Sequence, residues 1–452
     1  MWYNVEKHVG VIPIYVSFER EDFRNLSVGE KLKLFRKANS MSQEELGKIL
    51  SISSTQVNKV EGGYDEYTIE QVEAARKHFN IMDMPLSKHD CIAFKKRLYI
   101  WRDYIRDLRM VDAEEMHSKM SPIVNLDICD HDLPILYRLF EIMLLLYKNN
   151  LYAAEEKMKQ LENFKDKMTY EHRHYHLCNK GLRDIFSEKY EDALEHYTQA
   201  FELRNQYASS AYKEDDERLY YGLAVCYAKL ERLISASTAL SKIYMMPART
   251  RTEGFILNLD NICAINDMKL GKFTEAKELL EGCLILAKSM DNKHFVGTVL
   301  GNLGLLNKYL GNPEEAIEYF YKALNYFEVG SDIHIWTLYH KTHCFIDNGK
   351  FYQAEGVMRK LKELYSTHDD YSVIFNTLHF YMGIKKRTSQ YTERFTGYIE
   401  EETIPFFIKK HDYFTALGYY ETLEMCYEKM KNHEKSLLAA KGMRDIYKLI
   451  YR

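Results

Sequence analysis

The stretch from Val28 to Gly63, VGEKLKLFRKANSMSQEELGKILSISSTQVNKVEGG, decides how the N-terminal part of the chain is read. An amphipathic segment ends near Asn39. A capped helix begins at Ser42, a break falls at Leu50-Ser51, and a second short helix runs from Ser53 to Val60. Ser42 is a good N-cap, and Glu45 stands three residues on, which is the spacing of a capping box. Leu46, Ile49, Ile52, Val57 and Val60 have the spacing of a small shared core. Two short helices joined by a tight turn form a helix-turn-helix, whose second helix can enter a DNA major groove.

The residues themselves carry a family resemblance. Ser42-Gln43-Glu44-Glu45-Leu46 is similar to the S-Q-E-E-L opening of the Cro/phage-repressor-like (XRE) helix-turn-helix family. Ile52-Ser53-Ser54-Thr55-Gln56-Val57-Asn58-Lys59-Val60-Glu61-Gly62-Gly63 resembles its I-S-x-S-T-I-S-R-I-E-x-G recognition helix and exit turn. Ser51 replaces the glycine usual in the turn, at some backbone cost. Gln43 resembles the family's phosphate-contacting glutamine. By type and position, Ser53, Ser54, Thr55, Gln56, Asn58 and Lys59 are the candidate base or phosphate readers. Gln and Asn can pair bidentately with adenine, and Lys can donate to guanine or phosphate. Between Ser27 and Ile81 the basic and acidic residues balance, and Asp65 and Glu66 lie just past the second helix. No strong electrostatic footprint therefore assists binding to double-stranded DNA. Modest affinity per domain predicts a homodimer on a palindromic operator.

A chain of 452 residues is long enough for two or three domains, and its formal charge of -4 says little about partners. No apolar N-terminal signal segment is present. The most apolar run, Leu133 to Tyr147, is interrupted by Arg138 and Glu141 and is too short to cross a bilayer. A cytoplasmic protein with no membrane association is expected. The eight cysteines are scattered without a CxxC pair and read as buried free thiols. His172 and His176 have the i,i+4 spacing that can hold a transition metal, but no further ligand is evident, so no metal or cofactor is expected. No P-loop, nucleophile elbow, HExxH motif or catalytic carboxylate pair is present, and an enzyme is not expected.

Four regions follow from the pattern. Residues 1–26 include VGVIPIYVSF (Val9 to Phe18), which reads as a short edge strand or an ordered arm. Residues 27–84 form the helix-turn-helix domain, with a further helix from Thr68 to Phe79 and a hinge at Met82 to Leu86. Residues 85–125 are connector helices, beginning with one long basic helix from Lys88 to Met110 that reads as a solvated connector. Residues 126–452 repeat. The small residues Ala154, Ala193, Ala236, Ala276, Ala316 and Ala354 recur about every 40 residues, with Ser436 further on and a degenerate unit around Tyr391 to Tyr398. The clearest copy runs from Gly304 through Gly311 and Ala316 to Phe320 and Ala323. These copies resemble tetratricopeptide repeats, in which small residues let paired helices approach. The expected fold is all-α: a Cro-like N-terminal domain, then a right-handed superhelix of about eight helical hairpins with a concave inner face.

The combination resembles the peptide-sensing RRNPP group of Gram-positive regulators (Rap, Rgg, NprR, PlcR, PrgX). The resemblance implies a quorum-sensing transcriptional regulator controlled by a short oligopeptide pheromone bound inside the superhelix. An extended peptide must have its buried backbone groups satisfied, or each costs about 1–3 kcal/mol. Asparagine, with one acceptor and two donors, suits that task. Asn179, Asn258, Asn261, Asn302 and Asn376 fall on first helices of hairpins, and Tyr221, Trp336, His340 and His343 are candidates to line side-chain pockets. The alternative is a repeat-based protein-binding scaffold or phosphorelay modulator with a reduced DNA-binding role.

Overall fold

The computed structural model describes residues 26–79, 88–121, 132–207, 213–246, 251–365, 370–386 and 392–451. The expected strand at Val9 to Phe18 and the hinge at Met82 to Leu86 lie outside them. Every regular element among the described residues is helical. The chain divides into two compact units, residues 1–186 with 202–207, and residues 187–201 with 208–452.

The first unit opens with α1 (Val28–Ala38), α2 (Gln43–Leu50), α3 (Ser54–Glu61) and α4 (Ile69–Phe79). Ser27 and Ser42 each close a capping box, with Glu30 and Glu45 respectively. Leu32, Phe35, Leu46, Val57, Val60 and Val72 fill a separate small core, with Ile49 and Ile52 at its edge. Gly29 brings α1 onto α3 so closely that a Cβ there would stand 2.4 Å from the Val60 carbonyl oxygen. Ser51 takes the left-handed conformation at φ 56°, the glycine-like turn expected of it.

The connector comprises two helices, and the long basic one ends at Arg106, short of the expected Met110. Helix α5 (Lys88–Arg106) stops where Leu108 turns left-handed at φ 57°, and α6 (Met110–Met120) folds back. Trp101, fully buried, fixes that return by donating its indole N–H to the Ala113 carbonyl at 2.9 Å. Nor is α5 a solvated rod. Phe94, Leu98, Trp101 and Ile105 are buried with residues of α7 (Asp132–Tyr147), and Arg102 donates to the Tyr175 hydroxyl at 2.8 Å. Arg97 pairs with Glu70 of α4, and Lys95 with Glu171 at 2.8 Å, so these cations are spent within the unit. Helix α8 (Leu151–Glu162) pairs with α7, and α9 (Tyr170–Phe186) packs on α7.

The second unit takes in α10 (Tyr190–Tyr207) as far as Phe201, and then α11 (Lys213–Lys229), α12 (Leu233–Tyr244), α13 (Glu253–Lys269), α14 (Phe273–Ser289), α15 (Lys293–Tyr309), α16 (Pro313–Leu324), α17 (Asp332–Asp347), α18 (Phe351–Tyr365) and α19 (Asp370–Lys385). A degenerate hairpin arm follows as α20 (Thr392–Tyr398), a π-turn (Ile399–Thr403) and α21 (Ile404–Lys409). The unit ends with α22 (Tyr413–Lys429) and α23 (His433–Ile450). Ala154, Ala193, Ala236, Ala276, Ala316 and Ala354 are all fully buried, as the repeat pattern requires. Ser436 is only partly covered, α23 being the last helix described. Gly304 lies under the Phe320 ring, where a Cβ would come within 2.7 Å of it. First helices α11, α13, α15, α17 and α19 pack side by side as one layer. Within that layer His343 stacks on Tyr381 with ring centroids 4.4 Å apart, and its Nδ1 lies 2.9 Å from Asp347.

Cys226, Cys283, Cys344 and Cys426 are free and buried, and Cys178 and Cys263 are free and partly buried. Among the described residues no helix is long and apolar enough to cross a membrane, and no cluster of three or more metal-ligating side chains occurs.

Two outcomes test this account. Ser51→Gly should stabilise the N-terminal domain by up to about 1 kcal/mol, because it relieves a left-handed residue. Gly29→Ala should destabilise it by about 1–3 kcal/mol through the clash with Val60. Hydrogen exchange of the α1–α4 amides reads both. The second outcome concerns pH. Burial and the nearby Lys308 push the His343 imidazole down to about 4, against the opposing pull of Asp347. The folded state thus stays neutral where the unfolded histidine, at about 6.5, takes up a proton. The stability contributed is complete above about pH 6.5 and is lost as pH falls toward 4. Thermal melts of the second unit's helices should weaken across that window by on the order of 2 kcal/mol, and His343→Asn should flatten the slope.

Candidate functional sites

The first candidate site is the outer face of α3. Ser53 caps it, its hydroxyl accepting from the Gln56 N–H at 3.2 Å. Ser53, Ser54, Thr55, Gln56, Asn58 and Lys59 are all exposed, while Val57 and Val60 turn into the core. The structure therefore brings the whole expected set of readers onto one surface. The group that holds them is a buried ion pair the sequence pattern did not single out. Arg36 binds Glu61 bidentately, Nε to Oε1 at 2.6 Å and Nη2 to Oε2 at 2.7 Å, and its Nη1 donates to the Met41 carbonyl at 2.8 Å. Burial opposes ionisation of Glu61, but the bonds from Arg36 and Gln43 outweigh it and hold the carboxyl below its usual range. Gln43 spans the two helices, its Nε2 donating to Glu61 Oε2 at 2.9 Å and to Asn58 Oδ1 at 3.2 Å. Asp65 and Glu66 are exposed just past α3.

The second candidate site is a cavity of about 670 Å³ in the second unit, within the size range of ligand pockets. Its walls come from α17 (Asp332, Trp336, His340), α19 (Tyr371, Ile374), the turn after α21 (Lys409, Lys410, His411, Asp412, with Phe406) and the segment Glu188, Tyr190 and Lys229. Trp336 and His340 are the two expected pocket residues that line it. Burial drives His340 well below the ordinary histidine range, and its Nδ1 is buried without a hydrogen-bond partner. The ammonium of Lys229 stands 5.8 Å from the centre of the Tyr190 ring, with no carboxylate in ion-pair distance among the described residues. Desolvation and the neighbouring Lys269 lower its pKa.

The other expected pocket residues lie outside that lining, each for a visible reason. Asn179, in the first unit, is buried and donates to the Leu139 carbonyl at 2.7 Å, so it ties α9 to α7 and is withdrawn as a ligand contact. Asn258 turns back onto its own helix, donating to the Gly254 carbonyl at 2.7 Å. Asn302 donates to Asn261 Oδ1 at 2.8 Å, joining first helices α15 and α13. Tyr221 meets Phe255 edge-on with centroids 5.3 Å apart. His343 is held by Asp347 and Tyr381, and Asn376 is partly exposed on α19.

Sequence reasoning missed Glu188, Lys229, His411 and Asp412, yet a signal was present. The left-handed turn position that ends α13, α15 and α17 is Gly271, Gly311 and Gly349, with φ between 66° and 79°. After α9, α11 and α21 the corresponding residue is Glu188, Glu231 or His411, with φ 57°, 52° and 57°. Glu188 and His411 at these turns line the cavity, and Glu231 reaches across to α22.

Comparison with known proteins agrees with this architecture. Residues 255–328 match the tetratricopeptide repeat family. The chain is 22% identical over 418 residues to the transcriptional activator NprA of Geobacillus stearothermophilus, covering 89% of this chain and 97% of that one. Its fold is similar to that of a Rap protein complexed with competence and sporulation factor, with a TM-score of 0.62, 18% identity and coverage of 79% and 98% of the two chains. It is also similar to NprR in complex with its cognate peptide NprX, with a TM-score of 0.61, 17% identity and coverage of 78% and 99%. What the chain matches by sequence is an activator and a repeat family, neither of them a family of enzymes. The chain is thus similar in sequence to a transcriptional activator, carries a tetratricopeptide-repeat segment, and shares the fold of the Rap and NprR structures.

Proposed function

We propose that this chain is a transcriptional regulator whose affinity for double-stranded DNA is set by a short peptide bound in the second unit. The observation that carries the reading is the row of exposed polar side chains on α3, held by the buried Arg36–Glu61 pair through Gln43. Removing one partner of such a pair costs about 3–5 kcal/mol, so the α3 surface is a rigid platform. Asn58 keeps its two amide donors outward, and Lys59 adds a cation for guanine or phosphate. The α3 N-terminus, with its exposed serine and threonine, suits a phosphate. The balanced charge between Ser27 and Ile81 and the exposed Asp65 and Glu66 favour a homodimer that reads a palindromic site in two halves.

The peptide part of the reading is supported by the cavity beside Trp336 and His340 and by the likeness to NprR, solved with its cognate peptide. The Asn261–Asn302 bond lies on the same layer of first helices that supplies Trp336 and His340 to the cavity. That bond leaves both amide N–H donors of Asn261, and the carbonyl and second N–H of Asn302, for a peptide backbone. The ligand shifts the population between states that differ in DNA affinity. The likeness to a Rap protein supports a second reading, a repeat scaffold that grips another protein.

Genomic fragments captured by the purified chain should be enriched in a palindromic sequence, and the Asn58→Ala/Lys59→Ala variant should lose that enrichment. Equal enrichment by both proteins, or none by either with peptide present, would favour the scaffold. A peptide selected by the chain from a random heptapeptide library should change the DNA affinity. Trp336→Ala and Asn302→Ala should each weaken that peptide by about 1–3 kcal/mol, read by calorimetry.

A further inference from the structure

Glu231 is the most enclosed carboxylate of the second unit, with 1% of its surface exposed. It occupies a left-handed turn at φ 52°, where the equivalent turns after α13, α15 and α17 use glycine. A glutamate there costs backbone energy as well as desolvation, so its side chain must return both. It does so across the unit. Oε2 accepts from the Tyr413 N–H at 2.7 Å and the Phe414 N–H at 3.2 Å, the first-turn amides of α22. Oε1 pairs with Lys269, the last residue of α13. Charge-assisted bonds to helix N-terminal amides are among the stronger hydrogen bonds a protein makes.

These bonds join residues 182 and 183 positions apart in the chain. They therefore close the curl of the first-helix layer, bringing the turn after α11 onto the start of α22. An apolar seam of Leu233, Leu417, Ile446 and Ile450 runs beside them. Both ends of the bond adjoin the cavity. Lys229, two residues before Glu231, is in its wall, and so are His411 and Asp412, the residues preceding Tyr413. Asp412 also caps α22, accepting from the Thr415 N–H at 3.1 Å.

We infer that Glu231 is an internal latch, its carboxylate on the first turn of α22 holding the repeat layer closed around the cavity, so that a ligand there acts on the solenoid through the same two turns. The ligand half of this statement rests on the peptide reading above, while the latch itself does not.

The test is deuterium exchange on the full-length protein without ligand, with solution X-ray scattering alongside. Glu231→Gly suits the left-handed turn and keeps it folded. Glu231→Gln keeps the length but loses the charge and the Lys269 pair. Lys431→Gly relieves the same kind of strain, at φ 58°, in the turn after α22, and serves as the control. Glu231→Gly should speed exchange across 412–416 by about tenfold or more and enlarge the radius of gyration, with Glu231→Gln intermediate and Lys431→Gly unchanged. Exchange in Glu231→Gly within about twofold of wild type would overturn the latch. The library-selected heptapeptide should bind Glu231→Gly with an affinity changed about fivefold or more. Unchanged affinity would overturn the coupling and leave the peptide reading standing, whereas failure to select any peptide would sink that reading while the ligand-free exchange still decides the latch.

Discussion

Close approach of helices is the constraint on which the fold depends. Six alanines at the repeat position are fully buried, and glycines lie flat under aromatic rings, Gly222 under Tyr197 and Gly304 under Phe320. At that spacing no larger side chain fits without moving its neighbour, so each hairpin packs in one register. The consequence is strict for polar groups on the packed faces. With backbones this near, a buried amide or hydroxyl has no water and must find a partner on the next helix. Asn179 finds the Leu139 carbonyl, Asn266 the Ser237 hydroxyl at 2.8 Å, and Tyr339 the Tyr419 hydroxyl at 2.8 Å.

This separates what could be read from the sequence and what could not. Local signals sufficed for the helix-turn-helix. The two capping boxes, the left-handed turn at Ser51 and the exposed face of α3 all lie within a few residues of their causes. The repeat alanines were equally legible, because their period is in the chain itself. The asparagines were not. Placing Asn179 on a first helix says nothing of its rotation, and one step along a helix turns a side chain by about 100°. Asn179 faces α7, whereas Asn302 faces Asn261. The break at Leu108 was hidden too, since no glycine or proline marks it and the buried Trp101–Ala113 bond that holds the return is tertiary.

The same distinction explains the Arg36–Glu61 pair. Each residue alone looks like a solvated helix charge, twenty-five positions apart in sequence. Only when α1 crosses α3 at Gly29 do they meet, and then further hydrogen bonds support the pair, Arg36 to the Met41 carbonyl and Gln43 to Glu61. The exposed face of α3 is thus tied to the buried pair by Gln43, which bonds both Glu61 and its neighbour on the helix, Asn58.

In the second unit the charges divide by whether the fold satisfies them. Glu231 and Asp347 are surrounded by donors, Tyr413, Phe414 and Lys269 for one, His343, Tyr381 and Lys385 for the other. Such carboxylates hold structure and have little capacity left for a ligand. Lys229 and Lys409, in the cavity wall, have no carboxylate within ion-pair distance among the described residues. Both lysines are exposed, so their ammonium groups are open to a ligand carboxylate. The cavity wall therefore carries both signs of charge, Lys229 and Lys409 with Glu188, Asp332 and Asp412, beside the aromatic side chains Trp336, Tyr371 and Phe406. On the peptide reading, a ligand carboxylate pairs with Lys229, two residues before the glutamate whose bonds reach the first turn of α22.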